Sequence, residues 1–134
     1  MTHPLNMFEG NMLDPVVKKQ FVAALRSGEY PQGQAALNIN GCFCCLGVLT
    51  DLAVKAGIIE WTDYPRARSA RKGVLIDNKV ETCILSPQVA KWAGSETLLG
   101  DVRFGNGPDD TLMSLNDDLG YTFSQIADIV EERL

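Results

Sequence analysis

The chain has 134 residues, of which 46% are hydrophobic and 22% charged, and these values suit one globular domain with its own core. Its net charge of −5 argues against nucleic-acid binding, which depends on lysine and arginine replacing the counterions of phosphates. No apolar run approaches the roughly 20 residues that cross a bilayer, and residues 1–14 lack the layout of a signal peptide. We therefore expect a cytosolic protein without a membrane partner.

The N-terminal part predicts a loosely ordered segment, residues 1–13, and then a helix over about 15–27. Asp14 can accept hydrogen bonds from the free amides at a helix start, and Pro15 is favoured at the first helical position. Gly28 is typical of a helix end.

Two β-hairpins are predicted from turn residues that lie between apolar or branched segments. The first turns at residues 40–41, an Asn-Gly pair, which is a strong signal for a tight hairpin. The second, between residues 74 and 85, turns at 77–79. A short strand is also expected over 58–61, whereas 62–73 and 95–108 are predicted to be loops.

Four further helices complete the prediction. Ser86-Pro87 restarts the helical pattern, and Thr122 with Gln125 fits a capping box. We expect these helices over residues 43–56, 87–93, 109–116 and 123–134. The fold class is thus predicted to be α+β, one small domain (1–134) with two short hairpins in one sheet, packed against four to five helices.

The cysteines, Cys42, Cys44, Cys45 and Cys83, are expected to be free thiols with a packing role. Their spacing lacks the two separated pairs of a structural zinc site. The single histidine, His3, lies in the loosely ordered segment and is poorly placed to activate a serine or cysteine nucleophile. The sequence therefore predicts no metal, no cofactor and no catalytic residue.

The predicted loop over 62–73 is the segment most suggestive of a ligand, because it contains four cations within seven residues of an otherwise acidic chain. Guanidinium groups match the geometry of phosphates, and aromatic rings offer faces for a base. The predicted ligand-binding residues are Arg66, Arg68, Arg71, Lys72, Trp61 and Tyr64. The alternative is a solvated loop whose arginines pair with the acidic C-terminal third.

Several fragments, in this order along the chain, resemble a group of small hypothetical proteins encoded by bacteriophages and prophages. They are Ala23–Gly33, Cys44–Leu49, Leu85–Gly94, and Leu115–Asp117 with Tyr121–Phe123 and Ile126–Asp128. The group has no activity or catalytic residue to transfer. The resemblance implies an accessory protein of a phage that acts in the cytosol of the bacterial host.

From residues 62–73, which we call the basic segment, and from the resemblance, we expect a counter-defence protein that binds a small anionic, nucleotide-like ligand without catalysis. A homo-oligomer is included in this expectation, because a ligand is often enclosed between subunits. One alternative is an inhibitor that binds a host protein through the acidic C-terminal third, which contains nine acidic residues and only two arginines after residue 95. The other is a metal-dependent enzyme that uses Asp109, Asp110, Asp117 or Asp118.

Overall fold

The computed structural model describes residues 13–64, 70–95, 101–102 and 110–134. These residues contain five helices, a four-stranded antiparallel sheet and a separate pair of short strands, so the predicted α+β class is confirmed. The helices are α1 (Pro15–Arg26), α2 (Cys45–Lys55), α3 (Pro87–Ala93), α4 (Leu112–Asp117) and α5 (Phe123–Arg133). The strands are β1 (Asn38–Ile39), β2 (Thr62–Asp63), β3 (Arg71–Ile76), β4 (Lys79–Glu81), β5 (Asp101–Val102) and β6 (Asp110–Thr111).

Local capping signals define the starts of the first and last helices. The carboxylate of Asp14 accepts hydrogen bonds from the amides of Val16 and Val17, at 3.0 and 3.1 Å. At α5, the Thr122 hydroxyl accepts from the Gln125 amide at 3.2 Å, while the Gln125 side chain accepts from the Thr122 amide at 2.9 Å. Both predicted helix starts are confirmed, because each cap needs only residues within one turn.

Both predicted hairpin turns are present, each as a two-residue turn with positive φ angles. The strand predicted after the first turn is reduced to a single bridge between Ile39 and Cys42, because β1 pairs with β3 instead. Residues 40–41 have φ of 53° and 79°, and residues 77–78 have 50° and 69°. Lys79, predicted in the second turn, is instead the first residue of β4 and pairs with Ile76. The strand β4 ends at Glu81, before the predicted end at residue 85.

The prediction of a loop over 62–73 is wrong at both ends, where β2 and the first half of β3 lie. The central residue of this arrangement is Lys72, which pairs with Asn38 in β1 on one side and with Asp63 in β2 on the other. The strand predicted over 58–61 begins instead at residue 62. Charged side chains on an exposed strand face remove the apolar alternation that identifies a strand.

The second sheet is a two-residue pair, β5 with β6, in which Val102 lies opposite Asp110. Residues 110–111 were predicted to be helical, but α4 starts only at Leu112 because the Thr111 hydroxyl accepts a hydrogen bond from the Ser114 amide at 3.0 Å. Most of the loop predicted over 95–108 lies outside the described residues.

One cluster of buried side chains joins all five helices. Helix α1 packs mainly against α5, and α2 contacts α1, α3 and α4. Gly47 lets α2 lie directly on the chain before β1, since a Cβ at this position would be 1.8 Å from the carbonyl oxygen of Leu37. Leu13 also belongs to the core, although the loosely ordered segment was predicted to include it; residues 1–12 are not among those described.

Candidate functional site

Backbone hydrogen bonds fix both sides of the basic segment at its base. The Tyr64 amide donates to the carbonyl of Arg71 at 2.9 Å. The Asn40 amide donates to the carbonyl of Ala70 at 2.7 Å, and the Ala70 amide donates to Asn40 Oδ1 at 3.1 Å. The residues that flank positions 65–69 are therefore anchored to β3 and to the turn that follows β1.

The predicted ligand-binding residues divide between the two faces of the sheet. Directly paired residues of antiparallel strands share a face, and neighbours in a strand point to opposite faces. Arg71 is paired with Ile39 and, one step along the β2 register, lies opposite Tyr64, so these side chains share one face. Lys72 lies on the other face, where its Nζ is 2.9 Å from Asp63 Oδ1. Two predicted residues lie outside the described part of the chain, Arg66 and Arg68.

The guanidinium of Arg71 contains a buried donor for which the described part of the chain provides no acceptor. Its Nε is shielded from solvent and has no hydrogen-bond partner among the described residues. A buried polar group left without a partner costs about 1–3 kcal/mol, and native structures satisfy most such groups. With respect to the described residues, the position of this side chain therefore leaves the hydrogen-bonding capacity of Nε unused.

Trp61 is held against the body of the protein by Asp51 of α2. Its indole Nε1 donates to Asp51 Oδ1 at 2.9 Å, and its ring meets that of Phe43 edge-on at a centroid distance of 6.3 Å. The Tyr30 hydroxyl donates to Asp51 Oδ2 at 2.5 Å, and Lys55 Nζ is 3.5 Å from the same oxygen. Burial, followed by the hydrogen bond to Asp51, raises the pKa of Tyr30.

This cluster around Asp51 was not identified from the sequence. Asp51 and Lys55 are four residues apart in a helix, which is the spacing of an ordinary surface ion pair. The contacts from Tyr30 and Trp61 come from other parts of the chain and give no local signal.

A second polar cluster that the sequence analysis missed centres on the buried side chain of Asn116. Its Oδ1 accepts from the Cys45 amide at 3.2 Å and from Gln32 Nε2 at 2.9 Å. Its Nδ2 donates to the carbonyl of Gly33 and to Asp117 Oδ1, at 2.9 and 2.8 Å. Both ends of the amide are therefore satisfied, and they join the segment before β1 to α2 and α4.

The same cluster fixes an unusual backbone conformation at Ala35. Asp117 Oδ1 accepts a hydrogen bond from the Ala35 amide at 3.0 Å, and Ala35 has a φ of 63°. A shallow cleft of about 420 Å³ lies beside it, lined by Gln32, Gly33, Gln34, Gly120, Tyr121 and Thr122. Three of the fragments that carry the phage resemblance meet here, and their order along the chain is the signal that could have located the cluster.

The carboxylates of the alternative metal site are only partly described. Asp109 and the side chain of Asp110 lie outside the described residues. Asp117 is hydrogen-bonded as above, and Asp118 is exposed at the end of α4. In the described ranges, no group of three or more His, Cys, Asp or Glu side chains is placed to hold a metal ion.

The four thiols are free and differ in burial. Cys42 and Cys83 are half-buried, whereas Cys44 and Cys45 lie in the core. Burial raises the pKa of Cys44 to about 12 and that of Cys45 well above its usual value. The packing role predicted for the cysteines thus fits the two core residues best.

The helices described here include none that is long and apolar enough to cross a membrane. No curated protein and no solved structure matches the chain significantly. A family model described as a domain of unknown function, DUF8296, matches residues 13–134, which include every residue that the structure describes. The chain therefore belongs to the DUF8296 family.

Proposed function

We propose that this protein binds a small anionic ligand of the nucleotide type, without catalysis, at the hairpin formed by β2 and β3. The observation that carries the proposal is the buried Nε of Arg71, which has no acceptor among the described residues. If the side chain turns outward, Nε and a terminal nitrogen form the two-pronged donor that matches a phosphate. The hydrogen bond gained would offset the cost of the resting state.

Tyr64 supplies the aromatic face of the proposed site. It is half-buried and lies opposite Arg71 on the same face of the sheet, so a base stacked on its ring would place an attached phosphate near the guanidinium. Lys72 lies on the other face and contributes mainly long-range charge. Arg66 and Arg68, which lie between Tyr64 and Arg71 in the sequence, would add further charge.

The biological context that we propose is phage counter-defence in the cytosol of a bacterial host. The support is the resemblance to small phage and prophage proteins together with a site whose described residues offer binding groups for an anion. A protein that sequesters a nucleotide signal needs affinity and closure around its ligand, and it needs no turnover. A homo-oligomer would serve such closure.

The proposal is tested by native mass spectrometry of the protein purified from bacteria, followed by titration with the ribonucleoside 5′-monophosphates and triphosphates of each base. We expect a retained or titratable mass of nucleotide size, and at least about tenfold weaker binding after Arg71→Ala, the loss typical of a charge-assisted hydrogen bond. Lys19→Ala, which removes an exposed cation of α1, is the matched control and should leave affinity unchanged.

Two results would overturn the proposal. One is a native protein that binds none of these nucleotides; the other is equal affinity in Arg71→Ala and Lys19→Ala. In either case the acidic C-terminal third becomes the surface to test, by capturing a host protein and measuring whether salt releases it.

A further inference from the structure

We infer that Asp51 is a positioning residue for the proposed ligand site, which it serves by fixing Trp61 and thereby β2, the strand that directly precedes Tyr64. The inference rests on the proposed function for its meaning in binding. Its structural part, that Asp51 anchors the hairpin of β2 and β3, can be tested without a ligand.

The strand β2 needs an anchor outside the sheet. It has two residues and lies at the end of the strand order β1-β3-β2, so among the described strands it pairs with β3 alone. Of its side chains, Thr62 is half-buried and Asp63 is exposed, so neither supplies much apolar burial. Trp61 precedes β2 directly and is the large side chain through which this end of the hairpin contacts α2.

Asp51 has the properties of such an anchor. Each carboxylate oxygen accepts from one aromatic side chain, Oδ1 from the Trp61 indole and Oδ2 from the Tyr30 hydroxyl. Its side chain is only 17% exposed, so these charge-assisted hydrogen bonds are partly shielded from water. Its helix, α2, is buried along most of its length and provides a rigid base.

The same contacts give Trp61 and Tyr64, the two aromatic residues of the predicted site, different roles. The indole N–H of Trp61 is bonded to Asp51, and its ring edge packs with Phe43. Trp61 therefore acts within the protein, and Tyr64, three residues further along, is the ring available to a base. Asp51 affects binding only through this connection.

The experiment compares two substitutions of nearly equal size, Asp51→Leu and Asp51→Asn. Leucine removes both acceptors, whereas asparagine keeps an oxygen for the indole and loses the charge. Amide hydrogen exchange is followed at Tyr64, whose N–H bonds to the Arg71 carbonyl, with Val130 in the core of α5 as the internal reference. We expect Asp51→Leu to accelerate exchange at Tyr64 by about tenfold or more, and Asp51→Asn by less than about threefold.

Trp61→Phe removes the same hydrogen bond from its other end and keeps most of the ring. It should accelerate exchange at Tyr64 to a similar degree, and the double variant with Asp51→Leu should add little, because both changes break the hydrogen bond between Trp61 and Asp51 that fixes this end of the hairpin. If Tyr64 exchanges at the native rate in both single variants, the inference is wrong. Uniformly faster exchange, at Val130 as well as at Tyr64, would also overturn it, since that result means a general loss of stability.

Affinity for the four ribonucleoside 5′-monophosphates separates this inference from the proposed function. We expect Asp51→Leu to weaken binding by about fivefold or more while Asp51→Asn stays within about twofold of the native protein. If Arg71→Ala weakens binding but Asp51→Leu does not, the positioning role fails and the proposed function stands. If no nucleotide binds the native protein, the proposed function fails, and the exchange measurements alone decide whether Asp51 anchors the hairpin.

Discussion

Burial separates the cysteines into two chemically different pairs. The thiolate is the reactive form, and burial raises the pKa of Cys44 to about 12 and the pKa of Cys45 well above its usual range. At pH 8 we expect the thiol reagent 5,5′-dithiobis(2-nitrobenzoate) to modify Cys42 and Cys83 in the native protein, and the two core thiols only after denaturation. The absorbance of the released thiol measures this, with the Cys42→Ser/Cys83→Ser variant as control. Rapid modification of that variant in the native state would contradict the prediction.

The raised pKa of Cys44 also predicts a loss of stability at alkaline pH. In the unfolded chain the Cys44 thiol has its ordinary pKa of 9.0. Because the pKa is higher in the folded state, the thiol stabilises the folded protein fully below about pH 9, and this stabilisation is lost as the pH rises towards 12. Cys44→Ala should therefore reduce the fall in unfolding free energy between pH 8 and pH 10.5, measured by urea denaturation. An equally steep fall in the variant would count against the buried thiol as a source of the pH dependence.

Ala35 is a residue at which glycine should be tolerated unusually well. Its φ of 63° is unfavourable for a residue with a Cβ by about 1–2 kcal/mol, whereas glycine adds flexibility to the unfolded chain. We expect Ala35→Gly to leave the unfolding free energy unchanged or raise it by up to about 1 kcal/mol. Ala23→Gly, at an exposed position of α1, should lower it by about 1 kcal/mol. Equal losses in both variants would refute the argument.

At the scale of elements, α4 is joined to the segment before β1 through Asn116. Asn116→Ala would leave the Cys45 amide and the Gly33 carbonyl without this partner, and each such buried group costs about 1–3 kcal/mol. We expect the unfolding free energy to fall by about 2–4 kcal/mol in chemical denaturation. Asp118→Ala, two residues further and exposed, should change it by less than about 0.5 kcal/mol. A loss below about 1 kcal/mol at Asn116 would show that water replaces the lost contacts.

The elements differ in how much of them the sequence could predict. The starts of α1 and α5 depend on caps within one turn, and the two hairpin turns on adjacent residues, so they were predicted correctly. The strand β2 was missed because it is stabilised by pairing with β3 and by the contact between Trp61 and Asp51. Its own two residues carry no apolar pattern.

The candidate site shows the same division. A local excess of arginine and lysine indicated the segment that contains Arg71, and the register of β3 then placed this residue beside Tyr64. Asp51 gave no sequence signal, because its aromatic partners come from other segments of the chain. Asn116 was marked only by its place in a fragment of the resemblance, since its partner Gln32 is 84 residues away along the chain. Side-chain amides and carboxylates are common on protein surfaces, and only the fold shows which of them are buried and bonded.

At the scale of the whole molecule, the two ends of the described chain lie side by side. The amide of Leu13 donates to the carbonyl of Leu134 at 2.9 Å, and both side chains are buried. We expect Leu134→Ala to lower the unfolding free energy by about 2–4 kcal/mol, as truncation of a core leucine usually does. Leu119→Ala, at a position 53% exposed, is the matched control and should cost less than about 0.5 kcal/mol. Both variants are measured by thermal and urea denaturation. An equal loss of unfolding free energy in Leu134→Ala and Leu119→Ala would show that Leu134 is not part of the core.

The packing of α1 against α5 also has a consequence for synthesis on the ribosome. The apolar face of α1 is complete at Arg26, but its main partner starts only at Phe123. At about 5–20 residues per second, this face waits roughly 5–20 seconds for α5 to be made. During this interval the apolar face of α1 is not covered by α5, so a chaperone that binds amphipathic segments would bind α1 first. Folding would finish only after translation of α5.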